Sequence, residues 1–386
     1  MKILFAADIS FNDFPSYFGK EQAQKTMRKT AEYFRAADFS ILNLENVVGD
    51  EKKYTPIIKS GPNLISEDSF IDYIDVLRPT AVGLANNHAG DFGEEALMHT
   101  MKLLDEKGYL HTGAGRDITE AYRPVVFKKG EISVAVIAVC ENEFGIATED
   151  EAGSAGYRLG LVAEAIKTAK TDGNMPIIYF HGGNEYNPFP SPGKVDLYRH
   201  FVDIGAEAVI AMHTHCPQGY EMYREKPIVY SMGNFFFPSE TLSAGAASWN
   251  YGYMTELEIS KNKIGMKVIP YSFDFECHRV FCRSEKENFL AYLEVLNGVI
   301  GDEKLLQKYF DGWCMIAGME NYIDDLKYSD DMANDGANSV RHLKNLLSCE
   351  AHNELMTNTL KILFDGRCAE ARELVSQIRN LQDMKI

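Results

Sequence analysis

Carboxylate, amide and imidazole side chains follow several apolar segments that the sequence predicts to be buried strands. In open α/β sheets, ligands bind beyond the carboxyl ends of the strands, so such residues are candidates for one shared site. A single Asp or His at a strand end usually satisfies only its local backbone. The combined set, however, matches the donors that Mn, Fe, Zn or Co take from proteins. Five separate loops supply the candidate ligands: Asp8, Glu45, Asn87, His181, and the pair His213 and His215.

The physical interpretation of this set is a centre with two divalent cations. Two such ions about 3.5–4 Å apart repel each other, so a shared carboxylate must lie between them. We assign Glu45 to the bridge, and Asp8 with His215 to the first ion. A bridging water would lose its proton near pH 7, and the resulting metal-bound hydroxide would attack a substrate. The second ion takes the remaining donors, Asn87, His181 and His213.

His88 directly follows a candidate ligand, which places its ring near the second ion. It would protonate a leaving group or stabilise developing negative charge. The alternative is a loop histidine bonded to a backbone carbonyl. Asp91 either orients His88 or caps the next helix, because Asp91-Phe-Gly-Glu94 resembles a capping box.

Three further polar residues are candidates for the wall of the pocket or for support of the ligands. Glu185 would bind an amine or orient His181, or it is a solvated loop carboxylate. Ser231 and Asn234 follow a predicted strand and either support the ligands or form the turn. The aromatic run at 235–237 is predicted to be core.

These residues are positioned by strands and helices that alternate with short connectors, which predicts an α/β sandwich. After residue 284 the strand patterns end and apolar residues recur at helical spacing. We therefore predict a domain over 1–284 and a helical C-terminal region over 285–386 without an obvious catalytic cluster. Strands are predicted over 2–7, 39–44, 80–84, 124–127, 133–139, 175–180, 208–212, 228–231, 254–259 and 265–270, and helices over 26–37, 67–77 and 91–107.

The composition limits the partners. The chain has 386 residues and a formal charge of −17 without a basic cluster, which argues against nucleic-acid binding. An anionic small molecule or polymer is still an acceptable substrate, because two bound cations would reverse the local charge. The N-terminal apolar run is too short for a signal or transmembrane segment. Seven scattered cysteines favour reduced thiols in a cytoplasm, and Cys277 and Cys282 have no second pair to complete a zinc site.

The chain carries six ordered motifs, namely Phe5-Ala-Ala-Asp8, Asn43-Leu-Glu45, Ala85-Asn-Asn-His-Ala-Gly-Asp-Phe-Gly93, His181-Gly-Gly-Asn-Glu-Tyr186, Gly205-Ala206 with His213-Thr-His215, and Tyr230-Ser-Met-Gly-Asn-Phe235. Together they resemble the motifs of CapA/PgsA-like capsule-synthesis proteins in the calcineurin-like metallophosphoesterase superfamily. The resemblance covers roughly residues 1–275. It implies a four-layer sandwich of two mixed β-sheets flanked by helices, a di-metal site, and an association with capsule or poly-γ-glutamate production.

The resemblance also implies roles for single residues. It makes Asp8 the first ligand, Glu45 the bridge in place of the usual Asp, and His88 the catalytic histidine. Ser10 stands where the superfamily has a histidine, so the first ion lacks an imidazole and binds weakly, or uses Ser10 or water. Gly182 stands where the CapA pattern has Trp. The remaining ligands are Asn87, His181, His213 and His215.

The leading hypothesis is a metal-dependent hydrolase acting on an anionic ester, a phosphoanhydride or a γ-glutamyl amide of cell-surface polymer metabolism. The alternative is a non-catalytic component of a capsule assembly complex, recruited by capsule-synthesis proteins, with a structural or vestigial metal site. A generic phosphodiesterase is a weaker alternative. The sequence leaves open the substrate, the metal, the oligomeric state and the role of residues 285–386.

Overall fold

The computed structural model describes residues 1–11, 19–239, 247–261, 263–274, 276–323, 326 and 336–385. The strands are β1 (Lys2–Ile9), β2 (Phe39–Leu44), β3 (Val47–Val48), β4 (Ile65–Ser66), β5 (Ala81–Gly83), β6 (Leu110–Thr112), β7 (Ala114–Gly115), β8 (Val125–Lys129), β9 (Ile132–Cys140), β10 (Gly153–Ser154), β11 (Met175–His181), β12 (Ala208–Met212), β13 (Tyr220–Tyr223), β14 (Lys226–Val229), β15 (Asn234–Phe236), β16 (Tyr251–Ile259), β17 (Ile264–Phe273) and β18 (His278–Val280).

The helices surround these strands and then continue alone toward the C-terminus. They are α1 (Lys20–Met27), α2 (Ala31–Ala36), α3 (Ile71–Leu77), α4 (Gly93–Glu106), α5 (Ile118–Ala121), α6 (Leu159–Thr171), α7 (Pro192–Asp203), α8 (Arg283–Ile300), α9 (Glu303–Trp313), α10 (Gly336–Ser348), α11 (Glu350–Phe364), α12 (Cys368–Ala371) and α13 (Val375–Gln382), with a π-helix over Cys314–Tyr322.

Two mixed sheets form the centre of the fold. The first has eight strands in the order β18-β17-β16-β1-β2-β5-β6, with β15 also paired to β1. The second has six strands in the order β13-β14-β12-β11-β9-β8. The two sheets pack face to face, as contacts between them show. Tyr179 of β11 donates a hydrogen bond to the carbonyl of Ala6 in β1, and Phe39 of β2 stacks on Phe127 of β8. Helices flank both sheets, which confirms the predicted four-layer α/β sandwich.

The strand predictions succeed where apolar residues are continuous. β2 and β12 have the predicted bounds, and the predicted hairpin is the pair β16 and β17. The prediction of a single helix over 26–37 is wrong. In the structure α1 ends at Met27, and a separate helix, α2, begins at Ala31. The short strands β6 and β15 have too few residues for a strand pattern to stand out.

The helices after residue 282 pack back onto the sandwich instead of extending away from it. The carboxylate of Glu350 accepts hydrogen bonds from the backbone and side chain of Asn142, at 3.0 and 2.6 Å. Glu354 accepts bonds from Ser191 Oγ at 2.6 Å and from the Gly193 amide at 2.8 Å. These contacts place the first turn of α11 beside the carboxyl ends of β9 and β11.

His278 makes the fold sensitive to acid. Its ring is buried against Phe235 and Tyr271, its Nδ1 lies 2.7 Å from Thr30 Oγ1, and burial lowers its pKa to about 3. Below about pH 6.5 the His278 ring binds a proton in the unfolded chain but stays neutral in the folded chain. The free energy of unfolding therefore falls as the pH drops below 6.5. We expect this residue to cost about 2 kcal/mol between pH 6.5 and 5.

The measurement is the free energy of unfolding in urea at several pH values. His278→Gln should reduce the loss on acidification by that amount, because glutamine does not titrate. The exposed His200→Gln is the matched control and should keep the wild-type pH dependence. Equal acid sensitivity of wild type and His278→Gln would contradict the assignment.

Candidate metal centre

Four side-chain donors converge at one edge of the sandwich, where the carboxyl ends of β2, β5, β11 and β12 meet. His181 Nε2 lies 2.9 Å from His213 Nδ1, 3.0 Å from Asn87 Oδ1 and 3.5 Å from Glu45 Oε1. All four side chains are buried. Residues far apart in the sequence thus come together at the strand ends, as expected for a ligand site in an α/β sheet.

The carboxylate of Glu45 has no partner that explains its burial. Both of its oxygens are inaccessible to solvent, and neither accepts a hydrogen bond from the residues that the structure describes. Burial, together with the nearby Asp8 carboxylate, raises the pKa of Glu45. An unpaired buried carboxylate costs several kcal/mol. A divalent cation would supply the missing partner.

The neighbouring donors also fit a divalent cation. Burial, and the nearby imidazoles of His181 and His215, lower the pKa of His213, so its ring is neutral at physiological pH. Neutral imidazole is the form that binds a metal. Two imidazoles, one amide oxygen and one carboxylate form a donor set that Mn, Fe, Zn or Co accept. The residues present therefore fit the ion that the sequence predicts.

Asp8 lies behind these donors and is already bonded within the protein. Its Oδ1 accepts a hydrogen bond from Asn43 Nδ2 at 2.7 Å, and its Oδ2 accepts one from the His213 amide at 2.9 Å. His181 Nδ1 lies 3.2 Å from Asp8 Oδ1. Asp8 therefore orients the two histidines. Such contacts fix the ring orientation of metal-binding histidines.

His215 faces a different set of neighbours. Its Nδ1 lies 2.8 Å from Asn234 Oδ1, and its ring centroid lies 4.7 Å from that of Trp249. Among the described residues, the groups of three or more acidic, thiol and imidazole donors within 4.8 Å of one another include neither Asp8 nor His215. The donors predicted for the second ion, Asn87, His181 and His213, thus lie close together in the structure. The binding of a first ion by Asp8 and His215 stays a prediction.

The histidine pair sits on a strained backbone. His213 has φ 97° and His215 has φ 55°, in the left-handed region that side chains with a Cβ rarely adopt. Each such residue costs about 1–3 kcal/mol and persists only where the surroundings hold it. Here the Asp8 carboxylate holds the His213 amide and Asn234 holds the His215 ring. Strain of this kind clusters at functional sites.

His88 lies beside the donors and is held by a buried ion pair. Its Nδ1 lies 2.6 Å from Asp91 Oδ2, and Lys59 Nζ lies 2.5 Å from Asp91 Oδ1 and 3.0 Å from His88 Nδ1. Burial, and then the Lys59 ammonium, lower the pKa of His88 to about 4. His88 is therefore neutral at pH 7.

Asp91 does not cap the helix that follows it. The helix α4 begins at Gly93, its N-cap is Phe92, and no side chain caps it. The Asp91 carboxylate instead accepts a bond from the Leu64 amide at 2.7 Å and contacts His88. The predicted capping box is therefore wrong, because the carboxylate is already engaged by other groups. The structure favours the alternative in which Asp91 orients His88.

Replacing Lys59 with methionine should destabilise the protein by about 2 kcal/mol, because Asp91 would keep a buried charge without its cation. The cost stays moderate since the Leu64 amide and His88 still contact that carboxylate. Unfolding in urea measures the effect. The control is Lys53→Met, whose exposed ammonium lies 3.8 Å from Asp50 and should change stability by less than about 0.5 kcal/mol. A Lys59→Met protein as stable as wild type would contradict the role of the buried pair.

The other predicted pocket residues have separate environments. Glu185 has a side chain 43% exposed, and its Oε1 lies 3.9 Å from His213 Nε2 rather than beside His181. Ser231 Oγ accepts a hydrogen bond from the Gly233 amide at 3.2 Å, as in a turn. Ser10 Oγ is buried, and no described residue bonds to it. The aromatic run at 235–237 is core, as predicted.

Sequence reasoning missed acidic residues that directly follow β9. Glu143 Oε2 accepts a hydrogen bond from Asn87 Nδ2 at 3.4 Å, and Glu143 Oε1 lies 3.8 Å from His213 Nε2. Glu141 accepts a bond from the Gly183 amide and pairs with the buried Lys194. Both acids stand at a strand end, which is the signal that selected Asp8 and Glu45, so the same rule would have found them.

The C-terminal helices also reach the site, although the sequence showed no obvious catalytic cluster in them. Cys349 and His352, at the start of α11, lie beside Glu143. A cleft of about 710 Å³ opens next to them, between Gly90 and the end of α10. Its walls include the cations Arg158 and Lys344 as well as acidic residues. The cleft is therefore bordered by both parts of the chain.

Residues 2–239 match the family model described as bacterial capsule synthesis protein PGA_cap. The chain belongs to this family. It is 27% identical over 218 residues to the capsule biosynthesis protein CapA of Bacillus anthracis, covering 54% of this chain and 53% of that protein. It is 23% identical over 283 residues to the PGA biosynthesis protein CapA of Bacillus subtilis, covering 72% of each.

A probable polyglutamine synthesis accessory protein of Mycobacterium tuberculosis is 29% identical over 212 residues, which is 52% of this chain and 55% of that protein. This PGA_cap chain thus spans about half the length of two of these three relatives. A novel phosphatase of Mycoplasma pneumoniae aligns over 75% of this chain and 98% of its own length, with 11% identity and a TM-score of 0.43. None of the described helices is both long and apolar enough to cross a membrane.

Proposed function

We propose that this chain is a metal-dependent hydrolase of capsule or poly-γ-glutamate metabolism. Its substrate would be an anionic ester, a phosphoanhydride or a γ-glutamyl amide. The observation that carries the proposal is the buried Glu45 carboxylate, which accepts no hydrogen bond from the described residues and lies beside His181 and His213. The names of the similar Bacillus proteins support the metabolic context.

Glu45, Asn87, His181 and His213 would hold the ion, and Asp8 would orient the histidines. When bound, a divalent cation polarises the scissile group and makes water easier to deprotonate. A second ion, on Asp8 and His215 with Glu45 shared, is part of the proposal. Two ions would also outweigh the acidic residues and favour an anionic substrate.

His88 would move the proton. At pH 7 its ring is neutral, and the tautomer with Nδ1–H directed at Asp91 would leave Nε2 free to accept a proton. Nε2 would take a proton from the attacking water and return it to the leaving group, which is general base and then general acid catalysis. Arg158 and Lys344, at the wall of the cleft, would attract the anionic part of the substrate.

The test is an assay of the metal-loaded protein on three substrate classes, with and without a chelator. We would use a nitrophenyl phosphodiester, a phosphoanhydride and a γ-glutamyl peptide. Hydrolysis that requires metal and is lost in Glu45→Gln supports the proposal, and the class that is cleaved names the substrate. Cleavage of γ-glutamyl peptides without any phosphoester turnover would eliminate the generic phosphodiesterase. No hydrolysis of any class by fully loaded protein would refute the proposal.

A non-catalytic component of a capsule assembly complex is the second candidate. Two observations favour it, namely Ser10 in place of a histidine and an Asp8 carboxylate whose oxygens are already bonded. A centre with one ion would then be structural. Metal analysis that finds the Glu45 cluster filled, together with a stable complex with a capsule-synthesis protein and no hydrolysis, would support this candidate over the first.

A further inference from the structure

A second group of metal-binding side chains joins the C-terminal helices to the sandwich. Glu143 lies just after β9, Cys349 is the N-cap of α11, and His352 is in the first turn of that helix. One donor atom from each of the three lies within 4.8 Å of the other two. The three residues stand beside the Glu45 cluster, but none of them belongs to the ligand set derived above.

The environment of Cys349 is unusual for a structural cysteine. Its side chain is inaccessible to solvent, yet it faces carboxylates rather than apolar groups: Sγ lies 3.9 Å from Glu143 Oε1 and 3.9 Å from Glu141 Oε2. Lys194 pairs with Glu141. Within the described part of the chain, Glu143 has no lysine or arginine within 4 Å. A partly buried carboxylate next to a thiol and an imidazole therefore lacks a lysine or arginine partner among the described residues.

We propose that Glu143, Cys349 and His352 bind a zinc ion at a site separate from the Glu45 cluster. Thiolate, imidazole and carboxylate are the three donor types that zinc takes from proteins, and thiolate favours zinc over Mn or Mg. On binding, the Cys349 thiol loses its proton to solvent and forms the sulfur–zinc bond. Three protein ligands leave one position open, as in zinc sites that also hold water.

Two features of the surroundings suit such an ion. Cys349 is the N-cap residue of a helix of 15 residues, whose N-terminal end carries partial positive charge. Burial, and then the carboxylates of Glu141 and Glu143, raise the pKa of the Cys349 thiol, so a bound cation would be needed to hold it as a thiolate. The His352 ring is held from outside the cluster, with its Nδ1 3.2 Å from Asn345 Nδ2 and its ring centroid 5.2 Å from that of Tyr322. Contacts of this kind fix the direction of a ligating imidazole.

The site has a structural consequence that does not depend on hydrolysis. An ion there would tie α11 to the end of β9, directly beside Asn87 and His213, which Glu143 also contacts. The C-terminal helices would then form a fixed wall of the cleft. Residues after 239 lie outside the matched family region, so the family match does not itself predict this wall.

Cobalt titration of the full-length, chelator-stripped protein tests the proposal. Co²⁺ replaces Zn²⁺ in such sites, and a thiolate ligand gives a sulfur-to-cobalt charge-transfer band in the near ultraviolet that oxygen and nitrogen ligands do not give. We expect one equivalent of this band in wild type, its displacement by Zn²⁺, and its loss in Cys349→Ser. His352→Gln and Glu143→Gln should weaken the binding that the band reports.

The controls separate this site from others. The double variant Cys277→Ser/Cys282→Ser removes the two exposed thiols and should keep the band. Glu45→Gln should also keep it, which distinguishes this site from the proposed hydrolase centre. If Cys349→Ser fails to fold, zinc-edge anomalous scattering from crystals of wild type decides the question. Absence of the band in wild type, its persistence in folded Cys349→Ser, or no zinc peak between the three residues would overturn the proposal.

Discussion

His88→Ala is expected to lower turnover by about 10²–10⁴-fold while the protein keeps its bound metal. The reason is that His88 offers a ring nitrogen beside the donors without being one of the ligands proposed for the Glu45 cluster. Its Nδ1 contacts the Asp91 carboxylate, and its pKa of about 4 keeps the ring neutral at pH 7, so Nε2 would serve as the proton acceptor. Alanine removes the proton acceptor without removing a ligand, so the effect should fall on kcat.

Steady-state kinetics and metal analysis on the same preparation measure this result. His99→Ala is the matched control: that histidine pairs with Asp68 near the surface and should leave turnover unchanged. Asp91→Asn should give a smaller loss than His88→Ala, because the ring stays but its orientation and tautomer are no longer fixed. Unchanged turnover in His88→Ala with full metal content would remove the proton-transfer role.

The sequence predicted where the strands end more accurately than it predicted which residues contact one another. Apolar runs such as β2 and β12 are continuous, so their bounds and the polar residues after them, Glu45 and His213, could be read directly. That the parallel strands bring these residues to one edge follows from the fold class. The same reasoning missed Glu143, although it also follows a strand, because it belongs to none of the motifs that carried the resemblance.

Other parts of the site left no local signal. Lys59 lies in a segment without regular structure and reaches Asp91 across 32 positions of the chain, a distance that no periodic pattern reports. Cys349 and His352 stand at a helix start that reads as an ordinary amphipathic helix, and only its docking on β9 brings them to Glu143. The domain division at residue 284 stays a prediction.

Glu45→Gln should have opposite consequences in the metal-free and metal-loaded protein. Without metal, glutamine replaces a buried carboxylate to which no described residue donates a hydrogen bond, so we expect stability equal to or above that of wild type. With metal at 1,000 times its Kd, wild type should gain about 4.1 kcal/mol, because the ion binds only the folded chain. The variant lacks the anionic ligand and should gain far less.

Urea unfolding with a chelator gives the stability of the metal-free protein, and urea unfolding with Mn²⁺ gives the stability gained from the metal. Glu256→Gln is the matched control, since Glu256 is also a buried glutamate but lies in β16 beside Lys2 and Lys267, and it should keep the full metal-dependent gain. A Glu45→Gln protein that gains as much from metal as wild type would show that the ion does not use this carboxylate. A variant that is much less stable than wild type in chelator would mean that Glu45 supports the fold directly. The Glu45 carboxylate is assigned to an ion only if Glu45→Gln loses no stability in chelator and gains none from added metal.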